Sequence, residues 1–365
     1  MYIRERTRWV KVKANPKYQQ LKEILRKEIG EGKLKAGDRI LSEEKIAERH
    51  GVSLGTVRQA MAELVNEGLI YKEQGRGTFV AEKKREKTFT IGLLLTDIGN
   101  PFFSQIARSI QEKAHLLKYS VIYYNTNDQF SREAQSIEML IERRVDGVIL
   151  VPVLKNGEEK LIGRLKENSI PFVYLDRYLN EPASDYIIID NLSGVRQAME
   201  YLLSLGHKKI GCISAQPFTQ VLEERVKAYK KIVREKALAT DVSLVQISDL
   251  SDDKGGYDAT NKVLSMENKP TAIFATNDII AIGAYKAARN KGIRIPQDLS
   301  LVGFDDIETS SHLEVPLTTI SQPIDKMGEI AMKILAEKSE KKDSEKLQKI
   351  VLEPKLVIRE SCRRI

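Results

Sequence analysis

Short apolar runs in this chain end, one after another, in carboxylates and amides. IGLLL (residues 91–95) leads into Thr96-Asp97 and then Asn100-Pro101-Phe102-Phe103; FVYL (172–175) ends in Asp176-Arg177. AIFA (272–275) precedes Asn277-Asp278, and LVGF (301–304) precedes Asp305-Asp306. Arg225 opens a helical pattern after the loop 216–224, and Gln322 follows the apolar run ending at Ile320. A carboxylate can accept from two hydroxyls, and an apolar sugar face can lie on an aromatic ring, so the set suits a polyhydroxylated ligand. A single Asp at a strand end also serves as a helix N-cap or turn former, and that reading is preferred for Asp278 and Asp306.

No comparable arrangement points to catalysis. His50, His115, His207 and His312 are scattered, and no H-E-x-x-H, paired C-x-x-C or G-x-S-x-G motif accompanies them. His207, just before an apolar run, reads as a turn residue, and Cys212, inside one, as a small core hydrophobe. The strand ending at Leu95 lacks the glycine-rich turn of a dinucleotide fold, and Gly75-Arg76-Gly77 is too short for a nucleotide fingerprint. The expectation is a protein that is not an enzyme, without metal or cofactor.

A different chemistry gathers near the N-terminus. The net charge of +8 is confined to residues 1–88, where 21 Lys+Arg face 13 Asp+Glu; residues 89–365 hold 38 of each. A basic module on a neutral body fits a polyanion-binding head. Within it, Thr56, Arg58 and Gln59 share the face of a helix left free by its apolar residues, and Arg76 sits between Gly75 and Gly77, where the backbone can approach a groove closely.

These residues need elements to position them. Tyr18, Leu21, Ile24, Leu25 and Ile29 recur at helical spacing; Ser42 is a good N-cap for a second helix ending near His50-Gly51. A third helix follows over 54–66, with Val57, Ala60, Met61, Leu64 and Val65 inward, and then strands at 69–72 and 78–81. Three helices and a glycine-containing hairpin make a winged helix-turn-helix, whose third helix is slim enough for a major groove. Residues 83–88 read as a charged linker. From residue 89 apolar runs alternate with helical patterns, which predicts parallel sheets with right-handed crossovers. The length from 89 to 365 asks for two lobes, and ligands of open α/β sheets bind beyond the carboxyl ends of strands. The predicted organisation is thus α/β: a DNA-binding domain over 1–82 (core 17–82), the linker, and an effector-binding and dimerisation domain over 89–365.

SEEKIAERHGVSLGTVRQAMAELVNEGLIYKEQGRGTFV resembles the winged helix of the GntR family of bacterial regulators, especially its HutC-like members. The resemblance implies that Ser42, Thr56, Arg58, Gln74, Gly75 and Arg76 lie at the DNA. It departs at Glu44 and Leu54, where the family often has arginine, so a family operator is not transferable. IGLLLTDIGNPFF, RRVDGVILVP, YLDRY, YLLSLGHKKIGCI, ERVKAY, the stretch from AIFATNDII to LVGFDD, and PLTTISQP are similar to the LacI/GalR sensor domain. That is a periplasmic-binding-protein-like pair of lobes, and it implies ligand roles for Asp97, Phe102, Asp176, Arg225, Asn277, Asp305 and Gln322. No aromatic stands near Leu250-Ser251, and Ile189 and Ile324 occupy places where Phe can occur, so a neutral sugar is preferred over a purine. A GntR-like head on a LacI-like body resembles the AraR arabinose-utilisation repressors, whose effector is L-arabinose.

The expectation is therefore a homodimeric repressor on a palindromic double-stranded operator, released by a small sugar. Open alternatives are another effector (a different sugar or a nucleoside), the opposite regulatory sign, and, remotely, a solute-binding receptor. The basic N-terminus without an apolar h-region predicts no secretory signal, two cysteines suit a reducing compartment, and no run nears the ~18 apolar residues of a membrane span. A cytoplasmic location is expected.

Overall fold

Ser42 and Ser53 set the starts of the two helices that follow the first. In the computed structural model, which describes residues 16–81, 87–154, 157–179, 184–216, 219–236, 238, 244–340 and 346–365, the chain forms two compact units, Met1–Glu86 and Lys87–Ile365. The first holds α1 (Lys17–Gly30), α2 (Glu43–His50) and α3 (Leu54–Asn66). Ser42 Oγ accepts from Lys45 N at 3.4 Å, Gly51 closes α2 at φ 60°, and Ser53 Oγ accepts from Thr56 N at 3.2 Å. Leu21, Leu25, Ile46, Val57, Met61 and Leu64 are buried together with Ile70 and Val80 of an antiparallel hairpin, β1 (Ile70–Glu73) and β2 (Gly77–Val80). The hairpin starts one residue after the sequence-based strand because Leu69 N is spent on Leu64 O, closing α3.

The second unit alternates as expected: β3 (Thr90–Leu95), α4 (Pro101–Leu116), β4 (Ser120–Asn125), α5 (Phe130–Glu142), β5 (Gly147–Leu150), α6 (Glu158–Glu167), β6 (Phe172–Leu175) and β7 (Asp185–Ile189). It continues with α7 (Asn191–Ser204), β8 (Ile210–Ala215), α8 (Gln220–Glu235), β9 (Val245–Ser248), α9 (Asp253–Leu264), β10 (Ala272–Ala275), α10 (Asp278–Asn290) and β11 (Ser300–Val302). The last elements are α11 (Glu308–Ser311), β12 (Thr319–Ser321), α12 (Ile324–Glu340), β13 (Lys349–Leu352) and β14 (Lys355–Val357). A parallel six-stranded sheet in the order β13-β7-β6-β5-β3-β4 builds one lobe. A parallel four-stranded sheet, β11-β10-β8-β9, with the antiparallel pair β12-β14, builds the other.

This topology makes the chain cross between lobes three times: at Asp190, at Gln322-Pro323 and at Glu353-Pro354. The first and third crossings are tied to each other, Asp190 N donating to Leu352 O (3.0 Å) and Ser193 Oγ to Glu353 Oε2 (2.8 Å). One buried apolar cluster runs from Ile91, Phe103 and Leu335 of the first lobe to Val195, Tyr229 and Phe304 of the second.

Three expectations are corrected. Thr88, placed in the linker, belongs to the body: its N–H and hydroxyl donate to Asp146 Oδ1 at 3.0 and 3.3 Å. Residues 83–86 lie outside the described residues. His207 is no turn residue. It is 1% exposed, with Nδ1 at 2.9 Å from Thr271 Oγ1 and Nε2 at 3.0 Å from Ser300 Oγ, which pins β8, β10 and β11 at their starts, and burial lowers its pKa. Arg225 does not open its helix: α8 begins five residues earlier, where Thr219 Oγ1 caps it through Leu222 N.

Helices α9 and α10 cross at backbone contact. A β-carbon at Gly256 would collide with Ile280 O, and one at Gly283 with Asp253 O and Tyr257 N, whereas Gly163 of α6 faces open space. Gly283→Ala is therefore expected to cost about 1–3 kcal/mol in denaturant unfolding, as overpacked cores do, with Gly163→Ala showing no loss as control.

Candidate functional site

The strand-end residues converge. Thr96 and Asp97 follow β3, Asp176 and Arg177 follow β6, Asn277 follows β10, and Asp305 follows β11, all at carboxyl ends of strands as doubly wound sheets dictate. With Phe102, Arg225, Asp128, Thr219 and Ser251 they line a cavity of ≈90 Å³ between the lobes. Larger grooves exist, one of ≈560 Å³ beside Arg289 and Glu314. That ion pair is well exposed at 3.4 Å, whereas the inter-lobe cavity is walled by buried charges.

At its centre, Arg225, 2% exposed, donates from Nη1 to Asp305 Oδ1 (3.1 Å) and Thr276 O (2.8 Å), and from Nε to Asn191 Oδ1 (2.9 Å). Its guanidinium lies 3.6 Å from the centroid of the Phe304 ring. Gln322 Nε2 donates to Asp305 Oδ1 at 2.8 Å. Gln322 is not among the residues on the cavity wall; it reaches Asp305 from the second crossing between lobes. Asn191, first residue of α7 after the other crossing, also donates to Glu224 Oε2 (2.7 Å). Two hinge-side amides thus hold the two charged anchors.

The first lobe supplies an opposing wall. Arg177 Nη1 donates to Asp128 Oδ1 (3.3 Å) and Nη2 to Thr96 Oγ1 (3.2 Å), while its buried Nε, 3.9 Å from Asp176 Oδ2, has no hydrogen-bond partner among the described residues. Phe102 and Phe103 pack edge to face, centroids 5.1 Å apart, where Asn100 Oδ1 caps α4 on Phe102 N. Asn277 is the N-cap of α10, its Oδ1 accepting from Ile280 N (2.8 Å), which leaves its amide NH₂ as the donor it can offer a ligand. Asp278, expected to cap or turn, does neither: fully buried at the first helical position, it accepts from Ile307 N, Ser310 Oγ and Thr319 Oγ1 and clamps the loops after β11 to α10. Asp306 accepts from Arg359 Nη2 at 2.6 Å.

Two features mark the cavity independently of any resemblance. Three of its carboxylate residues, Asp128 (φ 51°), Asp176 (φ 67°) and Asp305 (φ 114°), hold left-handed backbone, a conformation also found at residues away from the cavity such as Lys118 and Ser169. Burial also pushes the carboxyls up: Asp176 is raised, Asp305 to about 6 against the pull of Arg225 and Gln322, and Asp278 to about 7. Sequence reasoning missed Asn191, Asp128 and Thr219 and gave Arg177 no role. Only Arg177, next to Asp176 at a strand end, carried a signal.

In the first unit, α3 exposes Leu54, Gly55, Arg58, Gln59 and Ala62, and the hairpin exposes Gln74, Gly75 and Arg76. Gly75 and Gly77 take φ 76° and 125°. Arg58 Nε pairs with Glu43 Oε2 at 2.8 Å, Lys72 joins the same carboxylate at 3.2 Å, and Arg76 pairs with Glu73 at 2.7 Å. Thr56 Oγ1 shares a hydrogen bond with Ser53 Oγ (2.9 Å), and Ser42 is committed to its cap. Arg39, unnoticed in the sequence, lies against Gly77, where a β-carbon would come within 2.8 Å of its Nε.

A body of two parallel-sheet lobes joined by three crossings over a polar cleft is a periplasmic-binding-protein-like sensor. Residues 199–362 match the model of the periplasmic binding protein-like domain, and residues 17–80 that of bacterial regulatory proteins of the gntR family. The chain is 31% identical over 367 residues to the arabinose metabolism transcriptional repressor of Geobacillus stearothermophilus, covering 98% of this chain and 100% of that one. It is 34% identical over 279 residues to the ribose operon repressor of Haemophilus influenzae, covering 76% and 82%. The crystal structure of a LacI family transcriptional regulator from Enterococcus faecium with bound ribose superposes with a TM-score of 0.67 at 28% identity, covering 76% and 99%. The chain belongs to the LacI-type transcriptional regulators and carries a GntR-family DNA-binding domain as its head. It is a regulator and not an enzyme, and no helix among the described residues is long and apolar enough to cross a membrane.

Two outcomes are expected. Arg58→Ala weakens DNA binding by about 1–3 kcal/mol in a mobility-shift titration and leaves the thermal transition of the body unchanged. For Asp305, the folded pKa lies above the unfolded one, so the folded state holds its proton to higher pH and stability is lost as pH rises through about 6. Asp305→Asn, which cannot ionise, should gain in melting temperature relative to the parent over the interval from pH 4 to 7. A constant difference across that interval contradicts this.

Proposed function

We propose that the protein is a sugar-responsive repressor whose effector is a small neutral sugar bound between the lobes, with L-arabinose the first candidate. The observation that carries this reading is the charge of the cleft. Four carboxylates (Asp97, Asp128, Asp176, Asp305) face two guanidiniums (Arg177, Arg225), and each guanidinium is already paired with a carboxylate. Such a wall repels sugar phosphates and organic acids and offers acceptors to hydroxyls, while Arg177 Nε and the Asn277 amide supply donors. The aromatics present pack on each other rather than forming two parallel faces, which disfavours a purine or nucleoside. The names of the arabinose and ribose repressors support a pentose.

The working form is a homodimer on a palindromic operator, since two-fold protein symmetry is mirrored in DNA. Sugar favours lobe closure, because only the closed form surrounds its hydroxyls, and closure changes the spacing of the two heads so that the operator is released. Ser42, Thr56, Arg58, Gln59, Gln74, Gly75, Arg76 and Gly77 form the DNA face. Asp97, Phe102, Asp176, Arg225, Asn277 and Asp305 meet the sugar, with Gln322 holding Asp305.

The test is a thermal-shift screen of the full chain with L-arabinose, D-ribose, D-xylose, hexoses and inosine, since a ligand that binds only the folded state raises its apparent stability. A pentose should shift the transition and dissociate the protein from its operator, and Arg225→Ala should abolish both effects while DNA binding remains. A shift by inosine alone would replace the sugar by a nucleoside; tighter operator binding with sugar would reverse the sign.

A further inference from the structure

Leu54 is the first residue of α3 and is 40% exposed. It heads the stripe Leu54, Arg58, Ala62 that runs along the exposed face of the helix at four-residue spacing, with Gly55 and Gln59 beside it. One charge stands in that set, and Glu43 pairs with it at 2.8 Å. The start of the helix therefore presents methyl groups and bare backbone where a cation would serve phosphate or guanine.

Gly55 adds a second, independent observation. Its φ is not left-handed, and a β-carbon there would meet only Ser53 Oγ, at 3.9 Å. Nothing among the described residues requires glycine at this position, and glycine weakens a helix relative to alanine. The space it keeps open lies on the solvent side, so what benefits is a molecule that docks against the helix.

We propose that the Leu54-Gly55 step is a specificity-determining element that reads a thymine in each operator half-site through its C5-methyl group, Leu54 supplying the apolar contact and Gly55 the close approach. In the major groove the thymine methyl is the one apolar feature of the base-pair edges, and it is recognised by apolar side chains. This inference rests on the DNA-binding role of α3.

The experiment selects a duplex from a randomised DNA pool with the full chain at fixed salt. Each thymine is then replaced in turn by deoxyuridine, which removes only the methyl. The parent should lose roughly three- to tenfold in affinity at one symmetric thymine per half-site, the worth of about one buried methyl. Leu54→Ala should bind more weakly and show no further loss at that thymine. Gly55→Ala should raise the melting temperature yet lower operator affinity. Equal deoxyuridine sensitivity in parent and Leu54→Ala, or no sensitive thymine in the parent, would overturn the inference while leaving DNA binding intact. Failure to enrich any duplex would overturn both.

Discussion

The ion pair between Arg225 and Asp305 is the constraint on which the body is organised. Burying two charges costs several kcal/mol per ion unless every remaining donor and acceptor is met, and breaking such a pair is more damaging than never having built it. The chain meets much of that demand with Thr276 O after β10, the Phe304 ring beneath the guanidinium, and one amide from each of two lobe crossings. Asn191 and Gln322 are thus bound both to the anchors of the cleft and to the segments that must turn when the lobes move. On the proposed reading, a ligand that competes for Asp305 or Arg225 would act on two of the crossings through a single amide each.

The surroundings are rigid in a way that serves this. Asp278 clamps three donors from the loops after β11 and from β12, His207 pins the starts of β8, β10 and β11, and α9 and α10 touch through Gly256 and Gly283. Against so firm a frame, left-handed backbone at Asp176 and Asp305 can be maintained with its carboxylates aimed into the cleft. The carboxyls are raised by burial, so their ionised forms are held at a cost that hydroxyl donors would offset. Stability is given up locally where binding is gained, as functional sites commonly show.

Much of this was legible in the sequence because the cleft lies where parallel strands end. Asp97, Asp176, Asn277 and Asp305 each follow an apolar run, and sheet geometry brings such ends together whatever the loops do. The head was legible for a similar reason: the cap at Ser42 and the periodicity of α1 to α3 are local signals. What escaped notice depends on sheet order. The strands β9, β12 and β14 are short and weakly apolar, and the apolar runs of β7 (Tyr186–Ile189) and β13 (Ile350–Leu352) pair with each other only through sheet order, so the three crossings could not be traced, and with them went the hinge roles of Asn191 and Gln322. Gln322, given a ligand role by resemblance, also donates to Asp305 from the end of β12, a contact that only the sheet order brings about. His207 looked like a turn because its partners, Thr271 and Ser300, are distant in sequence. Arg58 looked free, and Glu43 from α2 binds it.

The central claim is that sugar in the cleft and operator on the head oppose each other through one conformational equilibrium. Linkage makes that opposition reciprocal: the factor by which sugar weakens operator binding must equal the factor by which operator weakens sugar binding. Calorimetric titration of L-arabinose into the full chain, alone and saturated with its selected operator duplex, measures this directly. The account predicts a sugar affinity lowered by operator, by the same factor that sugar lowers operator affinity. Equal sugar affinities in the two titrations would contradict it.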